Sequence, residues 1–100
     1  MLNDVKLALR IVTTAFDSEL NGLIRAALLD LGVAGVLTQS TVTTSSITVE
    51  DDLIKRAVIT YCRMHFGQPD DYDRLKRSYD EQKAQLQTAT GYTVWGADNG

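Results

Sequence analysis

The sequence predicts an all-α fold, a small four-helix bundle. Three observations point to it. Apolar residues return at three- and four-residue intervals in four stretches. A Ser/Thr-rich segment separates those stretches into two pairs. Glycine or proline punctuates the two later joins. The expected helices cover about 3–12, 15–31, 49–66 and 69–88, with a long loop or β-like arm at 33–47 and an extended C-terminal tail at 89–100. No repeat or linker divides the chain, so residues 1–100 read as one domain with one modest core.

The first helix has Asn3 as its expected N-cap, whose side chain can accept from free first-turn amides. Leu2 and Leu7 stand at the positions of a hydrophobic staple. Val5, Ala8, Leu9 and Val12 form its apolar stripe. The second helix is the clearest. Thr14 or Asp17 can cap it, and Phe16, Leu20, Leu23, Ile24, Ala27, Leu28 and Leu31 fill one face. Gly32 stands where a left-handed C-terminal cap is wanted. Gly22 inside the helix costs about 1 kcal/mol relative to Ala. A close helix crossing and simple tolerance both account for it.

Hydroxyl and β-branched side chains dominate the segment that follows, and they disfavour helix. It suits an extended arm or a loose hairpin. Two readings stand: a surface connector, or an arm that orders against a neighbouring molecule. The third helix is expected to open at Thr48, with Glu50, Asp51 and Asp52 in its first turn. Leu53, Ile54, Ala57, Val58, Tyr61, Cys62, His65 and Phe66 make a stripe wide enough for more than one partner helix. Gly67 ends it, and Pro69 is expected to start the fourth, where a missing amide costs nothing. Asp70 with Arg74, Asp73 with Arg77, and Asp80 with Lys83 have ion-pair spacing. Tyr72, Leu75, Tyr79 and Leu86 form a thin apolar seam.

Composition narrows the function classes. The formal charge is −3, from 13 acids and 10 bases interspersed along the chain, which disfavours a dedicated nucleic-acid binder. A wall that surrounds DNA without gripping it fits that balance. The lone cysteine, Cys62, permits no internal disulfide and suits a buried thiol in a reducing compartment. No apolar run has membrane-spanning length, and the N-terminus lacks signal-peptide order. A soluble protein made in a cytoplasm, with no membrane partner, is expected.

Searching for chemistry yields little. His65 lies three residues beyond Cys62, but a zinc site needs three or four ligands and no second Cys/His pair exists. No third group is available to orient a Cys–His catalytic pair. Asp70, Asp71 and Asp73 lack the glycine and distal glutamate of a calcium loop. No phosphate-cradling glycine motif is present. The expectation is therefore no enzyme, no metal and no cofactor. Arg56, Arg63, Lys76 and Arg77 are the residues that could touch phosphate, and they define an alternative, a small helical DNA-binding or packaging-regulatory module. Tyr92 and Trp95 lie beyond the last helix, where large aromatics either fold back on the bundle or anchor an interface.

Two blocks carry a resemblance. The first is Asp4-Val5-Lys6 with Leu9-Arg10-Ile11, leading to Leu20, Leu23-Ile24 and Ala26-Ala27. The second, more specific, is Leu53-Ile54-Lys55-Arg56-Ala57-Val58, then Phe66-Gly67-Gln68-Pro69-Asp70-Asp71-Tyr72, then Ala89-Thr90-Gly91-Tyr92. In these blocks the chain resembles the head–tail connector proteins of long-tailed bacteriophages, also called head-completion, adaptor or DNA-packaging proteins. The resemblance implies a structural subunit of a ring, dodecameric on the portal protein. Such a ring completes the head, extends the DNA channel and meets a stopper or tail-side protein. It implies a place at the virion neck, reached from the host bacterial cytoplasm, and DNA that passes without sequence-specific binding. In such rings the segment between helices two and three and the chain ends contact neighbours. By position, this marks Val36, Thr38, Thr41, Val42, Thr43, Ser46, Tyr92, Val94 and Trp95 as candidate interface residues.

Overall fold

A computed structural model describes residues 1–38, 40–42, 47–67 and 69–88. Its elements run α1 (Leu2–Leu9), α2 (Asp17–Val33), β1 (Thr41–Val42), β2 (Ile47–Thr48), α3 (Asp52–His65) and α4 (Tyr72–Thr88). The fold is an all-α bundle carrying a minimal hairpin. The two strands pair antiparallel, Thr41 opposite Thr48 and Val42 opposite Ile47.

α3 is the packing centre. It touches α1, α2 and α4, and α1 also packs on α2. Its wide stripe supplies Ile54, Ala57, Val58, Cys62 and Met64, all buried. α2 answers with Leu20, Ile24, Ala27, Leu28 and Leu31, and α4 with Leu75, Tyr79 and Leu86. Val36, Ile47 and Val49 join this core from the middle segment, so both ends of the hairpin region are anchored in it. The Met1 amino group also donates to the Ile47 carbonyl at 3.1 Å.

The helix ends correct several sequence expectations. Asn3 lies inside α1, and Met1 occupies the cap position. α1 stops at Leu9 because Arg10 turns left-handed, φ 59°. The Arg10 and Ile11 amides then bond back to the Leu7 and Lys6 carbonyls, which closes the helix end. The expected stripe is cut short. Val12 is 97% exposed, and Leu7 at 79% forms no buried staple.

α2 begins one residue after Phe16, with no side-chain cap from Thr14 or Asp17. It runs past Gly32, which stays helical. Gly35, φ 90°, takes the left-handed position, with Gly35 N–H donating to Gly32 and Val36 N–H to Leu31. The burial of Val36 completes that cap with an apolar contact. A Cβ placed at Gly22 meets nothing within 4 Å, so no close crossing requires that glycine.

Thr48 lies in β2 rather than opening α3. Asp51 is the cap, its Oδ1 accepting from Leu53 N–H at 2.9 Å and Ile54 N–H at 3.2 Å. α4 starts at Tyr72 rather than Pro69. Gly67 reverses the chain at φ 69°, and Pro69 to Asp71 complete the turn before the Asp71 carbonyl accepts from Leu75 N–H.

Gly22→Ala is expected to stabilise the chain by about 1 kcal/mol, because the helix gains propensity and the methyl meets open space. Asp51→Ala is expected to cost about 1 kcal/mol through two orphaned first-turn amides. Urea unfolding followed by circular dichroism reads both.

Candidate functional site

The candidate interface residues separate into three groups. Val36 is only 3% exposed, so it serves the core. Thr38 and Ser40 face outward enough to hydrogen-bond each other through their hydroxyls at 3.1 Å. Thr41 and Val42 lie on β1. Thr43, Ser46, Tyr92, Val94 and Trp95 lie outside the described residues.

Beside Thr38 and Ser40 opens a groove of about 540 Å³ along the outer face of α2. Arg25, Leu29, Gly32 and Val33 line it from the helix. Leu29 is 69% exposed and Val33 88%, which makes them the most exposed apolar side chains of α2. A Cβ at Gly32 would meet only open space. Sequence reasoning passed over this second stripe because it followed only the core face. The signal was present: Arg25, Leu29 and Val33 recur every four residues, and Gly32 fills the same side.

A polar clamp fixes α4 along another face of α2. The Tyr79 hydroxyl donates to Asp30 Oδ2 at 2.5 Å, and Lys83 Nζ reaches the same oxygen at 3.3 Å. The Lys83 ammonium also lies 5.3 Å from the Tyr79 ring centroid. One turn further on, Gln87 Nε2 donates to the Ala34 carbonyl at 3.0 Å. Burial pushes the Asp30 carboxyl up, but the bonds from Tyr79 and Lys83 outweigh it and hold the group below its ordinary value. Burial, then the bond to Asp30, raises the Tyr79 phenol far above its usual range.

The clamp also revises the expected ion pairs. Lys83 reaches across to α2 instead of pairing with Asp80, which takes Lys76 at 2.9 Å. Arg74 pairs with Asp71 rather than Asp70. At the other end of α2, Lys6 Nζ sits 2.9 Å from Asp17 Oδ1, close enough for an ion pair but outside hydrogen-bonding geometry.

The four bases singled out for phosphate do not converge as a set. Arg56 and Arg63 line one groove between α3 and α4, of about 330 Å³, but their companion there is Arg74, with Thr60 and Ser78. Lys76 is engaged by Asp80. The Cys62 and His65 side chains also diverge. Cys62 is buried, and burial pushes its thiol up to about 12. His65 is exposed and lies 4.4 Å from Tyr61, ring to ring. Among the described residues, no group of three or more His, Cys, Asp or Glu is placed to hold a metal ion. No helix among them is long and apolar enough to cross a membrane.

What the described surface offers is therefore contact area: an apolar groove, a hairpin and a basic groove on a small helical bundle. That is the make-up of an assembly module. The chain belongs to the phage connector protein family, whose family model matches residues 1–93. It is thus a bacteriophage head–tail connector, a structural protein that associates with other phage head or tail proteins. No curated protein and no solved structure matches the chain.

Tyr79→Phe is expected to cost about 1 kcal/mol, less than a fully buried bond to a charged group because Asp30 is partly solvated. The lowered Asp30 contributes above pH 3.8 and is lost as pH falls below it. The raised Tyr79 contributes below pH 10.0 and is lost as pH rises above it. The stability gap between wild type and Tyr79→Phe should therefore be level between those limits and narrow beyond each. Urea melts across pH measure it.

Proposed function

We propose that this connector is a ring subunit at the virion neck, seated beneath the portal. There the ring completes the head, extends the DNA channel and presents a platform for the stopper or another tail-side protein. A dodecameric ring on the portal is the assembly in view. The observation that carries this reading is the family match over residues 1–93. The surface supports it: the exposed apolar face of α2 and the hairpin lie together, as contact elements between subunits require. Within this reading, Thr38, Thr41, Val42, Thr43 and Ser46 of the arm meet a neighbouring subunit or the portal. Tyr92 and Trp95 add aromatic area, and Val94 aliphatic area, to the same contacts. The role is structural rather than enzymatic, and a chain of net charge −3 suits a duct through which DNA slides.

A second reading has one observation in its favour, the convergence of Arg56, Arg63 and Arg74 on one groove. In it the chain is a DNA-binding or packaging-regulatory module that grips phosphate there.

The two readings separate experimentally. Native mass measurement of the chain alone and mixed with portal should show a ring in the mixture. A chain that is monomeric alone fits, because the portal can template closure. Absence of association both with itself and with portal, at every concentration, overturns the ring. For the second reading, duplex DNA should shift at low salt, and Arg56→Ala with Arg63→Ala should reduce the log–log salt slope by about 0.9 per lost phosphate contact. No shift at low salt removes that reading.

A further inference from the structure

The groove on α2 is an exposed apolar surface that runs to the same end of that helix at which the described chain ends. Gln87 donates to the Ala34 carbonyl, so the last turn of α4 lies against the C-terminal end of α2. Val33, at that end, opens the groove, and Arg25 closes it. Along the helix axis this distance is about 12 Å. From Thr88 the chain can reach at most about 14 Å by Tyr92. By Trp95, seven residues beyond Thr88, the chain can span up to about 24 Å, enough to turn back over the C-terminal end of α2 and reach the Gly32–Val33 end of the groove.

The chemistry matches in order as well as in reach. Leu29 and Val33 give apolar walls, and Gly32 leaves open space between them. A glycine inside a helix costs about 1 kcal/mol relative to Ala, and here it leaves a flat piece of backbone that a ring can approach. The hydroxyls of Thr38 and Ser40 form the opposite rim. Arg25, at the far end, has no ion pair among the described residues. The tail reads Tyr92, Val94, Trp95 and then Asp98, apolar first and acidic after.

We propose that, in the free subunit, the segment Tyr92 to Trp95 of the same chain lies in this groove. The Trp95 indole covers Gly32 between Leu29 and Val33, and Asp98 faces Arg25. A tethered segment acts at an effective concentration of about millimolar, so the chain's own tail outcompetes that of another copy at micromolar protein. The docking covers the most exposed apolar face of α2 before assembly. It belongs to the free chain and does not depend on ring formation.

Trp95 is the only tryptophan, so its emission reports the tail directly. At concentrations where mass measurement gives a monomer, wild-type emission should be blue-shifted from that of the urea-unfolded chain. Leu29→Glu with Val33→Glu should return it to the unfolded-chain position with the circular dichroism spectrum unchanged. Gly32→Leu, a strong helix former that fills the groove without charge, should do the same and decides the matter if the double glutamate variant unfolds. Three results would overturn the proposal. One is monomer emission already at the unfolded-chain position. Another is blue emission that neither variant moves. The third is blue emission that appears only as oligomers form, which assigns the groove to a second copy's tail. A chain that passes these tests yet never joins portal overturns the ring alone.

Discussion

The constraint on which this structure depends is the broad buried face of α3, which packs against three other helices. A chain of 100 residues can build only a small core, so one helix must serve as common partner to the rest. α3 does this with small and branched residues toward its neighbours, Ala57, Val58 and Ile54 among them, and with Cys62 on the same side. α1, α2 and α4 each lean on it. α1 is only eight residues long and would not persist alone in water. It survives through Val5 in the shared core and through Lys6 beside Asp17.

Around that centre, polar contacts fix position more than they add stability. The pairs Arg74–Asp71 and Lys76–Asp80 are solvated, and solvent screening leaves them little to contribute. The Asp30–Tyr79–Lys83 clamp differs because it joins helices far apart in sequence. With Gln87 on Ala34, it sets the rotation of α4 and the direction in which the chain leaves it. The end of α4 and the open end of the groove therefore lie at the same end of α2. The arrangement serves assembly, since a connector must present several contact elements from one small scaffold.

Much of the fold was legible in the residue pattern. Four helices follow from apolar spacing, and the interruption at the Ser/Thr run follows from propensity. The helix ends were less legible. Whether Gly32 or Gly35 takes the left-handed turn depends on Val36 finding the core, a tertiary event. Arg10 adopts a left-handed turn that its type disfavours, because two backbone bonds and the placement of Ile11 demand it. Ion-pair spacing suggested Lys83 with Asp80, but a better partner arrived from another helix. The surface was the least legible part. Leu29 and Val33 fall outside the core stripe and gain meaning only because the fold leaves them uncovered, and Arg74 joins Arg56 and Arg63 only through the packing of α4 on α3.

The burial of Cys62 has a practical consequence. The chain's sole thiol sits inside the packing centre and stays protonated in neutral solution. Maleimide chemistry at a cysteine introduced elsewhere would then be site-specific without first deleting the native one. With a single native indole as the fluorescence donor, any surface position becomes one end of a molecular ruler whose other end is already in place.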